Sequence, residues 1–158
     1  MPRTATRPEL HDSADPAGAA VHYRALESLY ASAPVNALFE SRLEILGEGR
    51  SRIRFQVDER FHHAAHAAHG TLYFKMLDDA AFYAANSMVS DRFLLTTAFN
   101  LLFTKPIRTG EVTAEGRWVS GRRRVFIAEA DDQGRSRARP SAGVRLRPKA
   151  LEVVRFGS

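Results

Sequence analysis

The chain has 158 residues and no cysteine. That absence excludes disulfides, thiolate metal sites and a cysteine nucleophile, and it makes a reducing cytoplasm the expected address. Long apolar runs are missing too: nothing approaches the roughly 18 consecutive apolar residues of a membrane span, so no membrane partner is expected. The opening stretch MPRTATRPELHDSADP has no apolar segment behind its basic residues. Residues 1–16 are therefore expected to form a flexible leader rather than a secretory signal. There is no internal repeat. With 44% apolar and 26% charged residues, the composition suits one globular domain, expected over residues 17–147 with a tail at 148–158.

The net charge is +5 and the pI about 10.1, a balance that raises the question of nucleic acid. Its distribution argues against one. Basic residues are spread over 42–54, 105–108, 117–124 and 135–155 with carboxylates among them. No zinc finger, helix-turn-helix or RNA-binding aromatic signature accompanies them. A phosphorylated small molecule would use such a surface equally well.

Periodicity supplies the elements. Residues 17–33 place Val21, Leu26, Leu29 and Tyr30 at helical steps, and Pro34 should stop that helix. Residues 36–48 and 51–59 are expected as an antiparallel pair. The second alternates strictly, with Ile53, Phe55 and Val57 on one face and Arg52, Arg54, Gln56 and Asp58 on the other. From Thr71 to Val89 the chain is apolar nearly all round, broken only by Lys75, Asp78 and Asp79. A helix apolar on every side is buried on every side. Strands are then expected at 93–104, 111–120, 122–131 and 135–146, with turns at Thr109-Gly110, Gly121 and Gln133-Gly134, and with Pro140 at an edge or bulge. Segregated helices and antiparallel strands make an α+β class.

Within the buried helix, two acids share one base. Lys75 has its better partner in Asp79 at i+4, with Asp78 at i+3 also in reach. One carboxylate is left over in an apolar segment, where burying it unpaired costs several kcal/mol as an order of magnitude. An unexplained buried acid is a candidate for catalysis.

Residues 69–87, HGTLYFKMLDDAAFYAANS, resemble the central-helix motif of hotdog-fold thioesterases, in particular the phenylacetic-acid-degradation group. His69, Gly70, Asp78 nine residues after the histidine, Asn86 and Ser87 all fall in register. A second block, AFNLLFTKPIRTGEVTAEGRWVSGRRRVFIAEA, resembles the family's later strands, and the likeness covers about residues 36–146. It implies an antiparallel sheet wrapped around a helix at about 70–88. It also implies a metal-independent, cofactor-free acyl-CoA thioesterase, assembled as a homodimer or a dimer of dimers with its sites at the subunit interface.

Carried onto this chain, the resemblance makes Asp78 the general base for a water, or a direct nucleophile. Gly70, opening the helix, would offer its N–H to the thioester carbonyl oxygen, aided by the helix dipole. His69 would orient the thioester or the loop. His63 stands where many relatives carry an asparagine that polarises the thioester, and Thr71 replaces a second glycine. Thr96 matches a hydroxyl position that some relatives use to hold the water. Lys105, Arg122 and Arg124 are the candidates for the phosphates of coenzyme A. Three rivals stand beside this assignment. If residues 62–69 were helical, His62, His66 and His69 would share a face suited to a metal. A non-catalytic acyl-CoA binder would keep the fold without turnover. A hotdog dehydratase would carry its His and acid in a different motif.

Overall fold

The computed structural model describes residues 16–101, 106–122, 125–132 and 151–155. Helix α1 (Pro16–Ser32) is followed by a short α2 (Pro34–Phe39), then by strands β1 (Arg42–Gly47) and β2 (Arg50–Val57). A single turn of 3-10 helix at Glu59–Phe61 leads to the long helix α3 (Gly70–Asn86). Strands β3 (Leu94–Ala98), β4 (Gly110–Arg122), β5 (Val125–Asp132) and β6 (Leu151–Arg155) complete the described chain. All neighbouring strands pair antiparallel, in the order β1-β2-β4-β5-β6-β3.

The alternation in β2 has the structural meaning expected of it. Ile53, Phe55 and Val57 are buried against α3, and their partners across the ladder, Ala114, Val112 and Gly110, lie on β4. The all-round apolar character of α3 is likewise explained, since ten of its residues from Leu72 to Asn86 are buried. Helix and sheet approach each other closely at Ala80. There the Ser51 hydroxyl donates to the Ala80 carbonyl at 2.5 Å, and Gly116, paired with Ser51, faces the same peptide. A Cβ on Gly116 would lie 2.0 Å from the Ala80 oxygen. Only a residue without a side chain fits there.

Three expectations need correction. Pro34 ends α1 but also opens α2, because a proline costs nothing at the first position of a helix. The strand expected over 36–48 is consequently shorter, Arg42–Gly47. The segment beyond residue 147, expected as a tail, contributes β6, which sits between β5 and β3. The strand expected at 135–146 and Pro140 lie outside the described residues.

Candidate active site around Asp78

Asp78 lies in the middle turn of α3, mostly buried, with Thr96 of β3 donating its hydroxyl to Oδ1 at 3.0 Å. Burial pushes the carboxyl up to about 6. The Thr96 hydrogen bond works the other way, the neighbouring charge of Asp79 adds to the rise, and that of Lys75 opposes it. Desolvation of the charged form outweighs the rest. A carboxylate with this value takes a proton from water more readily than an ordinary aspartate and is still largely ionised at neutral pH.

The neighbouring lysine is occupied elsewhere. Lys75 Nζ pairs with Asp79 and donates to Asn36 Oδ1 at 2.6 Å. It also sits over the rings of Tyr30 and Phe39, 5.4 and 5.7 Å from their centroids. Among the described residues no ion pair to Asp78 is formed. The leftover acid of the sequence is Asp78.

The N-terminal end of α3 is built by the loop before it. The His69 backbone N–H donates to the Phe61 carbonyl at 2.7 Å, and Ala68 N–H to that of Ile107 at 2.7 Å. His69 is the N-cap, and its Nδ1 accepts from the Thr71 backbone N–H at 3.1 Å. A ring nitrogen that accepts from a peptide N–H carries no proton, so the Thr71 hydroxyl, 2.8 Å away, must donate to it as well. The ring proton of neutral His69 is then on Nε2. Thr71 and Leu72 N–H are capped by His69. At Gly70, by contrast, no protein acceptor for the N–H is present among the described residues. This is a helix N-terminus with a donor to spare.

His63 is exposed in the same loop, where its Nδ1 accepts from Ala65 N–H at 3.0 Å. His62 bonds to the Arg108 carbonyl. His66 has a left-handed backbone, φ 58°. Residues 62–69 are thus a turn closed by a bridge between His62 and Ala68, not a helix. The shared histidine face that a metal would need is absent, and no cluster of three metal-ligating side chains occurs among the described residues. Arg122 ends β4, but its side chain, together with Lys105 and Arg124, lies outside the described residues.

At the other end of α3, Asn86 and Ser87 act as fasteners. Asn86 Oδ1 accepts from Leu94 N–H at 3.0 Å, which fixes the start of β3. Its carbonyl accepts from His22 Nε2 of α1 at 3.1 Å, and Ser87 Oγ accepts from Gly49 N–H at 2.7 Å. Thr96, two residues along the strand from Leu94, reaches Asp78 from a strand held in this way.

The family model of the thioesterase superfamily matches residues 65–131, the stretch from the loop before α3 to the end of β5. The PaaI protein of the phenylacetic acid degradation operon of Escherichia coli superposes with a TM-score of 0.70 at 16% identity, covering 88% of this chain and 96% of that one. The chain carries the hotdog fold. A thioesterase family protein from Silicibacter pomeroyi gives a TM-score of 0.70 at 22% identity, over 87% of this hotdog chain and 96% of that protein. A Saccharolobus solfataricus protein whose name calls it a candidate esterase is 28% identical over 86 residues. That match spans 54% of this chain and 57% of the relative. Within the hotdog architecture, α3 is the central helix, and Asp78 faces the strand that ends the sheet.

Some parts of this site were not foreseen. Asn36 and the ring pair around Lys75 belong to α1 and α2, far from the motif, and only a buried asparagine in the apolar segment PVNALF hinted at them.

Proposed function

We propose that the protein hydrolyses an acyl-CoA thioester to the free acid and coenzyme A. One observation carries this: a buried carboxylate held by a hydroxyl, with its own lysine engaged by another acid. Asp78 takes a proton from water, and the resulting oxygen attacks the thioester carbonyl. The carbonyl oxygen gains charge and is met by the Gly70 N–H at the positive end of a helix, with His63 as a second donor. The tetrahedral adduct collapses, the carbon–sulfur bond breaks, and the thiolate leaves to be protonated as coenzyme A. Direct attack by Asp78 through an acyl anhydride is the other course of the same chemistry. His69 holds the helix start, Thr96 holds carboxylate and water, and Lys105, Arg122 and Arg124 meet the phosphates.

The two halves of this machinery cannot come from one copy of the helix. Gly70 and Asp78 are eight residues apart, about 12 Å along the axis, whereas a base and an oxyanion donor must meet around a single carbonyl. A homodimer, itself able to pair again, would bring the N-terminus of one α3 to the Asp78 of the other. Mixing an Asp78→Asn chain with a Gly70→Pro chain, each inactive alone, should then restore about a quarter of the wild-type rate. This estimate assumes random reassortment in which half the dimers are mixed and each has one intact site. Assay of the refolded mixture checks it.

The direct test is release of free thiol from a panel of acyl-CoAs. Wild type should turn over with an acid limb near pH 6 as Asp78 loses its proton. Thr96→Val removes the hydrogen bond that favours the charged form, so its limb should move to higher pH, with activity at pH 6 falling about tenfold. Tight acyl-CoA binding without thiol release from any substrate would favour the non-catalytic binder.

A further inference from the structure

The base of the proposed site depends on a second, separate cluster built by α1 and α2 behind α3. We propose that Asn36 is a positioning residue, which holds Lys75 on Asp79 and so keeps the lysine away from Asp78. This inference rests on the hydrolase reading only for its kinetic consequence.

Lys75 stands between two carboxylates of its own helix, at i+3 and i+4, and both are within the reach of a long side chain. Two groups from outside the helix settle the choice. Asn36 Oδ1 accepts from Nζ at 2.6 Å, while its Nδ2 donates to the Tyr30 carbonyl at 2.7 Å. Those two partners, a cation and a carbonyl, fix the orientation of the amide, since reversing it would put donor against donor and acceptor against acceptor. Asn36 is buried at 6% exposure, and its own N–H is tied to the Ala33 carbonyl at 2.9 Å. It is therefore a rigid acceptor delivered by α2 and aimed at one ammonium group. The Tyr30 and Phe39 rings add cation–π attraction on the same side. Tyr30 is itself anchored to Ser41 Oγ at 2.5 Å.

Among the described side chains, no other group around α3 competes for the lysine. β2 and β4 present Ile53, Phe55, Val57, Val112 and Ala114, and β3 presents Thr96. Tyr83, pushed up to about 12 by burial, stays neutral. The charged residues of β5 and β6 are Glu129, Asp131, Asp132, Glu152 and Arg155. Removing the asparagine acceptor frees Lys75 to lean toward Asp78, where an adjacent cation would favour the charged carboxylate and weaken it as a base.

The decisive measurement is a carbon-13 titration of the Asp78 carboxyl, assigned with Asp78→Asn, because it needs no turnover. Asn36→Leu should titrate at lower pH than wild type, and Asn36→Asp, which still offers an acceptor, should not. Asn36→Leu combined with Lys75→Met should lose the downward shift, since the wandering cation is gone. Asp79→Asn frees the lysine by the other route, but it also removes a neighbouring negative charge that raises Asp78, so it must lower the Asp78 titration by more in the wild-type background than in Lys75→Met, and a folding failure of Asn36→Leu leaves this comparison to decide. In the thiol assay at pH 8, Asn36→Leu should lower kcat about tenfold with KM unchanged. An unchanged or raised Asp78 titration in Asn36→Leu, or an Asp79→Asn shift equally large with and without Lys75, would overturn the proposal. Absence of thiol release from wild type, with the titration shifts intact, would instead remove the hydrolase reading alone.

Discussion

Asp78→Asn is expected to lose about 10³-fold of its thioester hydrolysis and at the same time to become more stable at pH 8. The loss follows from removal of the proton acceptor, at the middle of the range usual for such groups. The gain follows from linkage. A carboxyl whose folded value is raised from 3.8 to about 6 holds its proton more tightly when folded than when unfolded. Its contribution to stability is full below about pH 4 and is lost as pH climbs through 6. Above that, the folded state bears the cost of a partly desolvated charge, about 3 kcal/mol for a shift of this size. An amide removes that cost and can still accept from Thr96. Urea melts of both proteins at pH 5 and pH 8, beside the thiol assay, check the pair of effects. A variant that is inactive and also less stable at pH 8 would make the carboxylate a structural group.

Gly116→Ala is expected to cost about 3 kcal/mol, which for a chain of this size lowers Tm by about 10 °C. The new methyl group would fall 2.0 Å from the Ala80 oxygen and 2.8 Å from the Ala81 nitrogen. Neither can move aside alone, because both belong to the backbone of α3. The Ser51 hydroxyl grips the same carbonyl from the opposing strand, so relief requires the helix to lift from the sheet. Asp78 lies half a turn before Ala80, and lifting the helix would stretch its hydrogen bond to Thr96. Calorimetry measures the stability, and a fall in kcat beyond the unfolded fraction would report the displaced carboxylate. A Tm within about 2 °C of wild type would show that the sheet gives way more easily than this contact suggests.

The architecture was legible wherever burial imposes a short period. Strict alternation from Ile53 to Val57 marked β2 and its inward face, and the all-round apolar helix around Asp78 required an enclosing sheet. The surplus of acid over base at Lys75, Asp78 and Asp79 pointed to Asp78 from charge arithmetic, before any fold was known. Other features depend on partners distant in sequence. Pro34 reads as a stop, yet it also starts α2, because the same locked ring suits both uses. Asn36 meets Lys75 across 39 residues, and nothing local marks an asparagine as the keeper of a lysine. Asn86 and Ser87 matched a pattern, but their work as fasteners for β3 and for the turn at Gly49 becomes visible only when those segments lie side by side. β6 escaped notice because five residues leave almost no periodic signal.

The position of β6 also bears on how the molecule is made. The strand that brings Thr96 to Asp78 finds its neighbour in the sheet at residues 151–155, more than fifty positions further along. During synthesis, β1, β2 and α3 have emerged long before that neighbour exists. The hydroxyl reaches its carboxylate in a settled frame only once those later residues have left the ribosome, so the contact between Thr96 and Asp78 is a late event in the making of the chain.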